Sequence, residues 1–217
     1  MNYGDFAWRT SRLWLAPAAV VLTRGRGYGL DRIPAHGGCV LAVTHLAWID
    51  IPLVGALSPR NINYVAKVEL ERVPLFGSYL EWHGIIPIRR GESDRDAVRA
   101  MRQAARDGRA VGVFVEGTRQ KHTGVPGEAK PGAAMVALQE SVPVVPIAVY
   151  GTYEWRPWNF NPCSLAVGQP VRYDDLPKNG KGYKEATADI ERRIRELYDW
   201  LADVHARGRP RDETPPL

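Results

Sequence analysis

Short apolar runs alternate with helical patterns between residues 39 and 150, and this alternation constrains the fold more than any other feature of the chain. Cys39–Val43 (CVLAV), 62–66 (INYVA), 84–88 (GIIPI), 110–115 (AVGVFV) and 144–149 (VVPIAV) have the length and composition of buried strands. The clearest helix lies at 93–107. Ser93 suits an N-cap with Asp96 three residues on, Val98, Met101 and Ala105 recur at helical spacing, and Gly108 suits the stop. Residues 49–57 and 131–140 read as further helices, with Pro131 fitting a first-turn position, while 69–82 is amphipathic but broken by Pro74 and Gly77. Alternation of this kind predicts an α/β fold: a mostly parallel sheet flanked by helices. Pro146, inside the fifth run, predicts an edge strand or a bulge there.

The flanks complete one domain over residues 25–206. Residues 25–38 form a glycine-rich connector with a short strand around Tyr28, Ser164–Val167 reads as another strand, and 183–205 as a long charged amphipathic helix. The tail, 207–217, reads as disordered. With 217 residues and 45% hydrophobic composition the chain can bury a sizeable core, and it carries no internal repeat or second domain. Cys39 and Cys163 form no zinc-like or redox pair, which points to a reduced, cytosol-facing chain. A net charge of +5 suits acidic partners: phosphorylated small molecules, anionic lipid headgroups or nucleic acid.

Residues 6–23 predict a first helix. Its apolar part, 13–22, is ten residues long, against the roughly 20 needed to span a bilayer. Arg9 and Arg12 precede it, Arg24 and Arg26 follow it, Pro17 interrupts it, and no small-residue cleavage site follows. Residues 1–24 therefore read as a segment lying on or dipping into a membrane, with cationic flanks meeting anionic headgroups and Trp8 and Trp14 at headgroup level. The alternative is a helix packed on the domain's own core.

Two clusters carry chemistry. In AVTHLAWID, residues 42–50, a histidine and a carboxylate stand five positions apart just after the first apolar run. A general base works best when a third group orients it, and His45 with Asp50 can form such a pair. Positions five apart on a regular helix lie about 140° apart, so His45 belongs in a strand-to-helix turn with Asp50 on the helix reaching back. The second cluster is Glu116-Gly117-Thr118-Arg119, at the end of the fourth run. Gly117 permits close backbone approach, Thr118 offers a hydroxyl, and Arg119 can grip a phosphate bidentately. Arg90, Lys67 and Lys130 are further cations near strand or loop ends. Taken singly, each cation reads more readily as a solvated surface charge, and the histidine and aspartate as a satisfied core histidine and an N-cap. Their positions at equivalent strand ends let His45, Arg90 and residues 116–119 converge on one cleft, where open α/β sheets hold their ligands. A metal-dependent hydrolase finds little support, since His36, His83 and His122 are isolated.

Together these pieces resemble the glycerolipid acyltransferase family, which includes 1-acylglycerol-3-phosphate acyltransferases. The resemblance covers residues 38–152 and rests on four ordered blocks. His45-Leu-Ala-Trp-Ile-Asp50 matches the family's His and Asp separated by four residues; 84–90 matches the second block, with Arg90 as its arginine; 116–119 matches the third; and 144–147, with Pro146, matches the fourth. The segments AKVEL (66–70) and KPGAA (130–134) also look like family patterns. Departures surround the headgroup positions: Thr44 stands for the usual Asn, Ala47 for a small hydroxyl residue, Arg89 for an acidic one, Val115 for proline and Gln120 for serine.

What the resemblance implies is an O-acyltransferase. It would move a fatty acyl group from acyl-CoA or acyl carrier protein to the free hydroxyl of a lysophospholipid, foremost 1-acylglycerol-3-phosphate, giving phosphatidate. His45 would be the base and Asp50 its orienting partner, without a metal or a cofactor beyond the acyl co-substrate. Arg90, Glu116, Gly117, Thr118, Arg119, Lys67 and Lys130 would hold the phosphate or headgroup, and backbone amides near the dyad or Gly117 would stabilise the oxyanion. The implied location is peripheral or monotopic, on the cytoplasmic face of the cell membrane, with no nucleic-acid partner. Two alternatives stand beside it: another acceptor (a different lysophospholipid, an ornithine lysolipid or a glycolipid), and a non-catalytic anionic-lipid-binding protein.

Overall fold

The computed structural model describes residues 3–67, 85–88 and 94–216. Its centre is a seven-stranded sheet of β1 (Arg26–Tyr28), β2 (Cys39–Val43), β3 (Ile62–Lys67), β4 (Ile86–Ile88), β5 (Ala110–Phe114), β6 (Val144–Tyr150) and β7 (Ser164–Val167), in the order β1-β7-β6-β2-β5-β3-β4. Every neighbouring pair is parallel except β6 with β7. The mostly parallel α/β sheet expected from the alternation is what the chain forms. The segment 69–82 and Arg90 lie outside the described residues.

Both faces of the sheet are covered, which explains why β2 is buried at all five positions. Val40, Ala42, Val111 and Val144 face α3 (Asp94–Arg106), α4 (Gly132–Glu140) and α5 (Gly180–Ala206), meeting Met101, Val136 and Ile190. Leu41, Val43, Val145 and Ile147 face the other way, towards α2 (Asp50–Leu57) through Val54 and Leu46. The alternation along β2 thus assigns His45, two residues beyond Val43, to the α2 face. α5 is capped by Asn179, whose side chain accepts from the amides of Lys181 and Gly182. Gly108 follows the end of α3, and its φ of 80° suits glycine.

α1 (Tyr3–Leu22) runs through Pro17 as a single helix and packs on α2, with Arg12 donating to the Ser58 carbonyl at 2.7 Å. It exposes large apolar side chains, Leu13, Trp14, Leu15, Val21 and Leu22, with Trp14 at 79%, beside exposed Arg9 and Arg12. No described helix is long and apolar enough to cross a membrane.

Two expectations change. β6 lies inside the sheet, between β7 and β2, so Pro146 does not mark an edge. Its missing donor faces the β7 side opposite Gly168, one residue past the end of β7, where Gly168 donates to the Pro146 carbonyl at 2.9 Å. No rung within β7 is lost there, and the pairing slips by one residue before Val144 meets Val171. The tail, expected to be disordered, folds back on the β1 edge. Tyr28 donates to the Pro210 carbonyl at 3.0 Å, and Arg32 to those of Pro215 and Pro216 at 2.9 and 3.0 Å.

Candidate active site

Parallel pairing fixes the site. β2 and β5 run in register with Val43 opposite Phe114, so His45 and Glu116 each emerge two residues past the same rung. Asp50 is the first residue of α2 and fully buried. Its Oδ2 lies 2.9 Å from His45 Nδ1 and also accepts the amides of Leu46 at 2.6 Å and Ala47 at 2.8 Å. A carboxylate oxygen already facing two N–H donors selects the imidazole tautomer with hydrogen on Nδ1. Nε2 is then left as an acceptor, and it has no hydrogen-bond partner among the described residues. The His45 side chain is 13% exposed. His45 in the turn and Asp50 reaching back from the helix match the expected geometry.

Phe114 has no counterpart in the sequence reading. Its ring stacks on His45 with centroids 4.0 Å apart and planes at 23°, and beyond it on Tyr64 at 5.8 Å. One wall of the imidazole is therefore aromatic and dry. The only advance signal was an aromatic residue two before Glu116, which by itself reads as core.

The segment 116–119 divides in two. Gly117, Thr118 and Arg119 are exposed, and so is Lys130. Gly117 adopts φ 70°, and a Cβ added there would sit 3.1 Å from Lys130 Nζ, so the ammonium lies over this glycine. Thr118, Arg119 and Lys130 are thus brought together next to His45, whose carbonyl accepts the amide of Gln120 at 2.8 Å. Among the described residues no side-chain partner holds Arg119 or Lys130. Glu116, expected at the headgroup, turns inward instead. It is 3% exposed, its Oε2 accepts the His45 amide at 3.1 Å, and its Oε1 is buried without a partner. Burial pushes its carboxyl up to about 7; backbone N–H groups, including that of His45, oppose the rise, and the charge of Asp50 adds to it. Lys67 ends β3, with its side chain outside the described residues, as is the whole of Arg90.

The amides expected to stabilise an oxyanion are largely engaged. Leu46 and Ala47 donate to Asp50, His45 to Glu116, and Gly117 to the Phe114 carbonyl at 3.0 Å. Among the described residues, the amides of Thr118 and Arg119 donate to nothing. A base with an open nitrogen, an orienting carboxylate and an exposed cationic turn can deprotonate an alcohol beside an anion.

Comparison with known proteins bears on which alcohol chemistry this is. The family model described as "Acyltransferase" matches residues 25–150, more than half of the chain. The chain belongs to this acyltransferase family. The acyltransferase is 30% identical over 179 residues to a 1-acyl-sn-glycerol-3-phosphate acyltransferase of Bacillus subtilis, covering 80% of this chain and 88% of that protein. It is 35% identical over 107 residues to a lyso-ornithine lipid O-acyltransferase of Pseudomonas aeruginosa, covering 48% of this chain and 40% of the other. Its fold is shared with the crystal structure of the 1-acyl-sn-glycerophosphate acyltransferase PlsC from Thermotoga maritima, with a TM-score of 0.65 and 21% identity over 87% of this chain and 82% of that one. The protein is an O-acyltransferase of the glycerolipid type, as the four sequence blocks implied.

Proposed function

We propose that this acyltransferase esterifies the free hydroxyl of 1-acylglycerol-3-phosphate, giving phosphatidate, with acyl-CoA or acyl carrier protein as donor and His45 with Asp50 as the catalytic dyad. The observation that carries the reading is the Nδ1–Oδ2 contact of 2.9 Å, which leaves His45 Nε2 as the open nitrogen beside the turn of Thr118 and Arg119. In this reaction Nε2 takes the proton of the acceptor hydroxyl as its oxygen bonds to the thioester carbonyl carbon. The tetrahedral intermediate then collapses, the C–S bond breaks, and the departing sulfur takes the proton back from Nε2. Asp50 stabilises the imidazolium between the two steps, as the carboxylate of a triad does. The amides of Thr118 and Arg119 are suited to the oxyanion, being the ones left unengaged in the turn. Arg119, Thr118 and Lys130 hold the acceptor phosphate, joined from the sequence reading by Arg90 and Lys67.

The acceptor lysolipid resides in a bilayer, and the exposed apolar side chains of α1 support attachment to a bilayer surface. On this reading the enzyme sits peripherally on the cytoplasmic face, with α1 lying in the headgroup layer. The test is acyl transfer from radiolabelled acyl-CoA and acyl carrier protein across a panel of lysophosphatidate, other lysophospholipids, lyso-ornithine lipid and glycolipid. Lysophosphatidate should be the preferred acceptor, and His45→Ala should lose about 10²–10⁴-fold in turnover. Near-normal transfer by His45→Ala overturns the dyad, and preference for an acceptor lacking phosphate overturns the headgroup assignment.

A further inference from the structure

Glu116 belongs to the exposed cationic turn in sequence and to the interior in structure. A substrate contact requires an accessible carboxylate, but this one is 3% exposed. A role in ordering Arg119 requires an ion pair, and none joins them among the described residues. What Glu116 does hold is the main chain of His45.

The reason lies in the β2–β5 ladder. Rungs of a parallel pair are evenly spaced and slanted. Val115 donates to the Val43 carbonyl at 3.0 Å, and the next rung would run from the His45 amide back to the Val115 carbonyl. That carbonyl is taken by the Lys130 amide at 2.8 Å. The His45 amide is therefore left facing β5 without its ladder acceptor, and Glu116 Oε2 supplies one at 3.1 Å. On the other side of the same residue, the Gln120 amide donates to the His45 carbonyl at 2.8 Å. The segment 116–120 thus grips both polar groups of the His45 backbone, while Asp50 fixes its ring.

We infer that Glu116 is a positioning residue: its carboxyl oxygen replaces the missing ladder rung and sets where His45 Nε2 stands relative to the acceptor hydroxyl, without touching substrate. This inference rests on His45 acting as the base. It requires an acceptor oxygen at Oε2 and requires no charge. A glutamine supplies that oxygen without a charge. Alanine supplies none, and small displacements of a catalytic group lower turnover severely.

The experiment compares wild type, Glu116→Gln, Glu116→Ala and His45→Ala, with kcat and KM for lysophosphatidate measured under saturating acyl donor and folding checked by circular dichroism. Glu116→Gln should keep kcat within about threefold, and Glu116→Ala should lose about tenfold to a hundredfold in kcat with KM nearly unchanged. Turnover lost in Glu116→Gln as fully as in Glu116→Ala overturns the inference, because the charge would then matter. So does a rise in acceptor KM at constant kcat, which marks a substrate contact. If Glu116→Ala does not fold, the folded glutamine variant decides alone: retained kcat and KM support the inference, and loss of either overturns it. His45→Ala in the same assay separates the two claims, since its retaining activity sinks the dyad whatever Glu116 does.

Discussion

Replacing Asp50 by asparagine and by alanine separates its two tasks. Oδ2 accepts from three groups, the amides of Leu46 and Ala47 and His45 Nδ1, whereas Oδ1 is buried without a partner. In Asp50→Asn the carboxamide can be oriented in only one sensible way. Its oxygen must face the three donors, and its NH₂ must take the place of the lone Oδ1. The turn is then retained, and stability should fall by no more than about 1 kcal/mol. Asp50→Ala instead leaves two backbone amides without acceptors, at about 1–3 kcal/mol each when buried. The sum, about 2–6 kcal/mol, is a large part of the roughly 5–15 kcal/mol that holds a domain of this kind together. Catalysis should rank differently. The asparagine variant keeps the Nδ1 contact but cannot offset the imidazolium charge, so kcat should fall by about 10²–10⁴ despite a near-native fold. Urea melts followed by circular dichroism give the stabilities, and acyl transfer to lysophosphatidate gives kcat. An asparagine variant as unstable as the alanine one would refute the account of the turn. An asparagine variant within fivefold of wild-type kcat would refute the dyad.

Glu116 makes stability depend on pH with a definite sign. Its folded pKa of about 7 lies above the ordinary 4.5, so its contribution is fully present below 4.5 and is lost as pH rises through 7. Relative to Glu116→Gln, which does not titrate, wild type should lose about 3 kcal/mol between pH 4.5 and pH 8, read from urea melts at each pH; a constant difference would show that burial does not govern this carboxyl. Arg119→Ala should raise KM for a phosphorylated acceptor roughly 10–100-fold and leave kcat little changed, whereas an equal effect on a phosphate-free acceptor would remove Arg119 from the phosphate site. Trp14→Glu with Val21→Glu, both exposed on α1, should weaken co-sedimentation with anionic vesicles by about tenfold or more without lowering Tm; unchanged sedimentation would count against α1 as the membrane contact.

The sheet and the contact of His45 with Asp50 were legible because their signals are local. Five apolar runs fall on β2 to β6, and a pairing of His45 with Asp50 at this spacing calls for a turn followed by a helix. Less was visible wherever the decisive partner is distant in sequence. Phe114 reads as one more apolar strand residue until the register of β5 with β2 stacks it on His45. Pro146 signals an edge only if a neighbouring strand runs the full length beside it, and β7 stops just short. The tail looks disordered by composition, but bonds from Arg32 and Tyr28 to its carbonyls can use almost any residue and so leave no mark in the sequence. Glu116 was misplaced for the same reason, because its direction depends on Lys130 having taken the carbonyl of Val115.

That register also explains why the two motifs lie side by side. With Val43 opposite Phe114, a parallel sheet brings whatever follows β2 and β5 to the same height, and the alternation of faces puts His45 on the side of α2. The partner of the imidazole must then come from α2, and its first residue is the position nearest the end of the strand. Asp50 does not act there as a usual N-cap, which would accept amides further along its own helix. It reaches backwards to Leu46 and Ala47, so the turn between histidine and aspartate is folded around the carboxylate that the histidine needs. The negative charge also sits at the helix N-terminus, where the peptide dipoles favour it. Four intervening residues are enough to close this turn and still leave two amides facing Oδ2. The spacing is therefore a property of the turn as much as of the chemistry, and on this account Asp50 fixes the direction of the base through the backbone as well as through the ring.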